Sequence, residues 1–220
     1  MKFAIVNGIR VEAMPNGKGI CPCCDSETIA RCGEYKMWHW AHKSNSNCDS
    51  WSKRETPWHR QCKNYFPKDW QEVVHFDELT GERHIADVKT NQGMVLEFQN
   101  SPFSEEELKS REKFYKQMLW IVHATKFRKE IQIKELLCNE PKSGRYDFTW
   151  NKSKSRDLWL SADMTVYLDW EELGLWKIED YDCRINKGFI TRVSKRIFVE
   201  NNGGIFTETT VNYPYKMGIY

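Results

Sequence analysis

The stretch "HIADVKTNQGMVLEFQNS", residues 84–101, decides how the rest of the chain is read. Residues 84–88 and 94–99 are rich in Ile, Val, Leu and Phe, and residues 90–93 are turn material, so the pattern predicts two strands of a hairpin. Alternation along the second strand puts Glu97 and Gln99 on one face and Leu96 and Phe98 on the other. Asp87 then lies close enough to sit opposite Glu97. Two carboxylates brought together repel each other, and an unpaired buried charge is costly. A divalent cation removes that conflict, because Mg²⁺ prefers one or two carboxylates and keeps several waters. The plainer alternative is a polar strand face in water with ordinary surface charges.

Working outward, residues 71–76 read as a preceding strand. Ser104-Glu105-Glu106-Glu107 is a capping box that opens a helix running to about Met118. "LWIVHAT", residues 119–125, is a continuous apolar run that fits a buried central strand. Strand, hairpin, helix and strand over residues 71–124 make an α/β core. Beyond Pro141 the chain turns to short aromatic-rich strands such as "LWLSADMTVYLDW" and "ITRVSKRIFVE". Upstream, residues 3–13 read as a hairpin with Asn7-Gly8 in a type I′ turn, and residues 51–65 as a helix. The divisions expected are residues 1–50, 51–140 and 141–220.

Composition narrows the function. The chain has 220 residues, 40% of them hydrophobic, which is enough to build a core. A net charge of +2 does not by itself imply a nucleic-acid partner, so a phosphate-binding face must come from local clustering. No apolar run approaches the ~20 residues of a membrane span. The expectation is a cytoplasmic protein, in which eight cysteines mean metal ligation or burial more than disulfides.

Five cysteines fall at 21, 23, 24, 32 and 48, in a segment poor in aliphatics. Cys21 and Cys24 form a Cys-x-x-Cys knuckle, and His39-x-x-His42 follows. Two thiolates and two imidazoles make a closed tetrahedral zinc site that supplies folding energy and leaves no open position for substrate. Cys48 is an alternate for one histidine, while Cys23 and Cys32 look like bystanders. Cys62, Cys138 and Cys183 are single and read as buried small residues.

"SKRETPWHRQCK" spaces Glu55, His59 and Lys63 four residues apart, on one helical face. Either Ser52 or Thr56 caps that helix. Thr56 is preferred, because Pro57 then takes the first helical position and Glu55 lies just outside. On the later helix, Leu108, Arg111, Tyr115 and Met118 share a stripe that Arg111 interrupts. Arg111 either covers apolar surface or aims at a carboxylate or phosphate near the strand ends.

Asp87, then Glu97-x-Gln99, then a helix and an apolar strand together resemble the PD-(D/E)xK nuclease core. More narrowly, "CPCC" with "HWAH", the Glu55-His59-Lys63 row, "ADV", "LEFQNSPFSEEE", Arg111, Tyr115 and "LWIV" resemble the competence protein CoiA family over roughly residues 20–125. The resemblance implies a restriction-endonuclease-like mixed sheet flanked by helices, of α/β (α+β) class, with an N-terminal zinc module and a β-rich C-terminal region. It implies a metal-dependent DNA nuclease in which Asp87 and Glu97 hold Mg²⁺ or Mn²⁺, helped by the Phe98 carbonyl and Glu55.

The usual core has Lys where this chain has Gln99, and an amide neither acts as a general base nor carries charge. That shifts the role to Lys63, Lys89 or His59, with Lys63 favoured. The alternative is a catalytically inactive nucleic-acid-binding protein that keeps the fold. Lys63, Lys89 and Arg111 are the first candidates for DNA contacts. Lys43 and Arg60 come next, then the basic group Lys187, Arg192, Lys195 and Arg196, which otherwise reads as a solvated face. Trp38 and Trp40 pack around the zinc or else stack on bases. The C-terminal strands bind DNA, cap the sheet or form a homodimer.

Overall fold

The computed structural model describes residues 1–44, 48–51, 54–134 and 144–208. Two sheets dominate this mixed α+β fold. The smaller is antiparallel and comprises β1 (Phe3–Val6), β2 (Ile9–Glu12), β3 (Lys18–Ile20), β4 (Glu27–Arg31) and β5 (His39–His42), in the order β2-β1-β3-β4-β5. Asn7 and Gly8 have φ of 51° and 78°, as the type I′ hairpin requires.

Among the described residues, the larger sheet has nine strands in the order β10-β11-β14-β13-β12-β9-β8-β7-β6. Its members are β6 (Gln71–Phe76), β7 (Arg83–Lys89), β8 (Val95–Gln99), β9 (Met118–His123), β10 (Ile131–Ile133), β11 (Arg145–Trp150), β12 (Thr165–Asp169), β13 (Leu175–Asp182) and β14 (Lys187–Val193). β8, β9 and β12 run parallel to one another, and the other neighbours pair antiparallel. The parallel strands are central and covered on both faces, which explains why every residue of β8 is buried. Strands from both sides of residue 140 share this sheet.

Among the described residues, four α-helices cover it: α1 (Pro57–Asn64), α2 (Glu105–Tyr115), α3 (Lys154–Leu160) and α4 (Lys195–Asn201). α1 is shorter than residues 51–65. Thr56 caps it by accepting from His59 N, with Pro57 at the first position. Ser52, the other cap considered, lies outside the described residues. Ser104 caps α2 by accepting from Glu107 N. α2 stops at Tyr115, because Lys116 turns to φ 62°, and Met118 therefore opens β9 instead of closing the helix. In the C-terminal region, Ser153 and Ser194 cap α3 and α4, so parts of the two stretches expected as strands are helical.

The two faces of the sheet hold separate apolar clusters. Ala86, Val95, Leu108, Phe114, Tyr115 and Trp120 belong to the one under α2. Cys62, Phe66, Val88, Leu96, Phe98 and Phe198 belong to the one under α1 and α4. Ala86 and Val88 should share a face, yet they fall in different clusters, so the alternation of β7 slips at Asp87. The opposite residue, Glu72 in β6, is passed over between the pairs Gln71↔Val88 and Val73↔Ala86 and has φ of 47°. Such a backbone costs about 1–3 kcal/mol and persists only when its surroundings hold it. Here Glu72 accepts from Lys2 N, Phe3 N and Lys63 Nζ, which also fastens the small sheet to the large one.

Candidate metal centres

Asp87 and Glu97 meet where the β7–β8 ladder ends. Paired residues run to Val88↔Leu96. One step further, side chains take over from the backbone: Asp87 N donates to Glu97 Oε1 at 3.2 Å, and Phe98 N donates to Asp87 Oδ2 at 2.9 Å. Each strand thus satisfies its N–H with the carboxylate of the other, and the two acids occupy the opening between them. The expected opposition of Asp87 and Glu97 is found.

Around the pair stand Arg111 and His59. Arg111 Nη1 lies 3.0 Å from Glu97 Oε2, and Arg111 Nη2 reaches Glu107 Oε1 at 2.5 Å and Trp51 O at 2.8 Å. His59 Nε2 lies 2.8 Å from Asp87 Oδ1 but is buried without an aligned hydrogen bond. The balance still disfavours a charged Glu97. Its burial, then the neighbouring Asp87, raise its pKa to about 8 against the opposing pull of Arg111. A buried carboxylate so displaced, with a second carboxylate beside it, fits a hard divalent cation with its water. The donor set of carboxylate oxygens suits Mg²⁺ or Mn²⁺.

The Glu55-His59-Lys63 row divides its contacts. Only His59 touches Asp87. Lys63 is 2% exposed and lies 2.7 Å from both Glu55 Oε1 and Glu72 Oε1. Burial alone would discharge it, but those two carboxylates and Asp87 raise its pKa, so it stays an ammonium. Glu55 is held well below its usual range, against the cost of burial, by Lys63 and Arg60. Glu72, also against burial, is lowered to about 2, mainly by Lys63. Glu72 gave no sign in sequence, since an acid at the start of a strand reads as surface.

Other candidates lie elsewhere. Lys89 Nζ turns to His75 Nδ1 at 3.1 Å, and the Gln99 amide donates to Ser101 O. Arg60 pairs with Glu55 and donates to Trp38 O, and Lys43 pairs with Glu27. Trp40 is buried with its indole on Val11 O, while the indole of Trp38 donates to Gly33 O. Lys195 pairs with Asp169, and Arg196 with Glu200 and Glu208.

A second cluster forms in the N-terminal region. Cys21, Cys24, His42 and Cys48 bring four ligand atoms within 4.8 Å of one another. Cys21 Sγ and Cys48 Sγ are 3.6 Å apart, and Cys24 Sγ and His42 Nε2 are 3.4 Å apart. Atoms ~2.0–2.3 Å from one tetrahedral ion would be spaced by roughly these distances. His39 is not in the group, and its Nδ1 meets Met37 O at 2.8 Å. The reason is parity: His39 and His42 lie on strand β5, where a spacing of three points them to opposite faces. Cys48 completes the set in place of His39.

Cys24 is lowered to about 6, against its burial, by hydrogen bonds from Ser26 and its cysteine neighbours, while burial pushes Cys21 and Cys48 up. Cys23 and Cys62 are buried, but Cys183, expected to be buried, is exposed in the turn between β13 and β14. Cys138 lies outside the described residues.

Comparison with known families gives two matches in chain order. Residues 10–51 match the N-terminal domain of competence protein CoiA, and residues 83–165 match its nuclease-like domain. The chain belongs to the competence protein CoiA-like family. The first match ends at Trp51, just past Cys48, and so contains the whole cysteine–histidine cluster. The second contains Asp87, Glu97 and Arg111 and reaches into β12. No curated protein and no solved structure matches the chain. Among the described residues, no helix is long and apolar enough to cross a membrane.

Proposed function

We propose that this chain is a metal-dependent nuclease that hydrolyses DNA phosphodiester bonds. The observation that carries the reading is the convergence of Asp87 and Glu97 at the end of a strand ladder within a nuclease-like domain. Asp87, Glu97 and the Phe98 carbonyl would hold Mg²⁺ or Mn²⁺. Such an ion supplies positive charge to a phosphate and acidifies a bound water.

The chain's own residues have separable tasks. His59 Nε2 stands 2.8 Å from Asp87 Oδ1, and an ion taken up by Asp87 would free that nitrogen to orient a water or take its proton. Arg111 fixes Glu97 from behind and is itself fixed by Glu107 and the Trp51 carbonyl, so it is a holder of the acid more than a DNA contact. Lys63, favoured in sequence for the role missing at Gln99, is a buried ammonium that holds Glu55 and Glu72. His59 takes that role instead. The cluster of Cys21, Cys24, His42 and Cys48 would bind structural zinc, a closed site without catalysis.

A binding protein without chemistry is the second reading, favoured by Gln99, whose amide is engaged by Ser101 O. The test is cleavage of linear and circular, single- and double-stranded DNA with Mg²⁺ or Mn²⁺, comparing wild type with Asp87→Ala and Glu97→Ala. Metal-dependent cutting lost in both variants supports the nuclease. DNA binding without cutting on any substrate supports the second reading.

A further inference from the structure

The segment that carries Cys48 also reaches the acid pair, by two routes. The first is the Asp49 carboxylate. Its Oδ1 lies 2.8 Å from His84 Nδ1 and accepts from Trp51 N at 3.0 Å, while its Oδ2 accepts from Ile85 N at 3.1 Å. His84 and Ile85 are in β7, three and two residues before Asp87. The second route is the Trp51 carbonyl, which receives Arg111 Nη2 at 2.8 Å while Arg111 Nη1 holds Glu97. The Trp51 ring stacks face to face on His84 and meets Phe114 and Tyr115 edge-on. Nearby, Arg83 Nη1 donates to Cys23 O at 2.7 Å, so the knuckle grips the start of the same strand.

We propose that Asp49 is a positioning residue for the acid pair, and that Cys48, Asp49 and Trp51 form a strut from the N-terminal metal cluster to β7 and Arg111. The reasoning is geometric. Asp87 and Glu97 occupy a stretch where β7 and β8 no longer pair through their backbones, so their spacing depends on what holds each strand from outside. Asp49 holds β7 at Ile85, and Trp51 O holds Arg111 and through it Glu97. Both anchors lie within three residues of Cys48. The N-terminal metal site thereby has a task beyond stabilising its own module: it seats the segment that sets the distance between the acids. This rests on reading Asp87 and Glu97 as metal ligands.

The experiment uses full-length protein and the variants Asp49→Ala and Asp49→Asn, with zinc content measured by mass spectrometry. Mn²⁺ affinity is then read by electron paramagnetic resonance, and amide exchange by hydrogen–deuterium mass spectrometry. With zinc retained, Asp49→Ala should bind Mn²⁺ about 10–100-fold more weakly, the range typical of lost support behind metal ligands. Exchange should rise in residues 85–88 and 96–99 while that of β9 stays as in wild type. Asp49→Asn should recover part of both, because its one remaining oxygen can accept from either Ile85 N or Trp51 N, though not from both. Unchanged Mn²⁺ affinity with zinc in place overturns the proposal. So does a uniform rise in exchange through β6–β9, which marks general destabilisation. If wild-type protein itself binds no Mn²⁺, the ligand reading of Asp87 and Glu97 fails, while exchange confined to residues 85–88 and 96–99 still reports the strut.

Discussion

Glu97 makes the sharpest prediction, because its protonation opposes metal binding. Its pKa stands at about 8 in the folded protein, raised by burial and by Asp87. A divalent ion must displace that proton, so affinity depends on the fraction already ionised. With a pKa of about 8, roughly one Glu97 in a hundred is ionised at pH 6 and about one in ten at pH 7. Mn²⁺ affinity should therefore fall about fiftyfold from pH 8 to pH 6, where an ordinary glutamate would give almost no change. Calorimetric titration in buffers of different ionisation heat should show close to one proton released per Mn²⁺ at pH 7. The sign for stability is the opposite. The folded state holds a proton that the unfolded chain has already lost above its ordinary carboxylate range. Metal-free protein thus loses stability as pH rises toward 8, and saturating Mn²⁺ should remove that loss. Affinity that is flat between pH 6 and 8, with no proton release, would refute the reasoning.

Further expectations concern the rest of the two sites. Cys48→Ser should lose zinc while His39→Ala keeps it, measured as metal per chain after dialysis, because only Cys48 is in the cluster. Zinc retained by Cys48→Ser and lost by His39→Ala would contradict the assignment. Lys63→Met should leave Glu55 and Glu72 without their shared cation and cost about 3–5 kcal/mol in denaturant unfolding. A loss under about 1 kcal/mol would mean that Lys63 does not hold the pair. His59→Ala should keep Mn²⁺ affinity within severalfold of wild type yet depress the cleavage rate about 10²–10⁴-fold, as expected for a lost proton acceptor. Equal losses of binding and rate would make His59 a ligand instead.

What the sequence revealed was what local pattern can carry. The hairpin of residues 84–101, the Thr56 and Ser104 caps and the meeting of Asp87 with Glu97 all rest on neighbours a few residues apart, and the structure has them. The choice between His39 and Cys48 depended on whether residues 39–42 form a strand, a segment without clear periodicity, so the parity that separates the two histidines was hidden. Lys63 looked like a base because it stands in the Glu55-His59-Lys63 row that carries the family resemblance. Its true partners include Glu72, brought near by a left-handed residue that no short pattern announces. α4 was missed for a related reason: Ser194 caps a helix of β-branched and aromatic residues whose packing on Tyr167 and the sheet outweighs their strand preference. Asp49 and Trp51 act on residues far along the chain, and their spacing carries no periodic signal.

The most direct test of the central claim is a crystal structure of the full chain soaked with Mn²⁺, with anomalous scattering recorded at the manganese and zinc edges. The account predicts a manganese peak between the Asp87 and Glu97 carboxylates and a separate zinc peak enclosed by Cys21, Cys24, His42 and Cys48. A zinc peak with no manganese between the two acids, and with Arg111 and His59 still closed upon them, would contradict it.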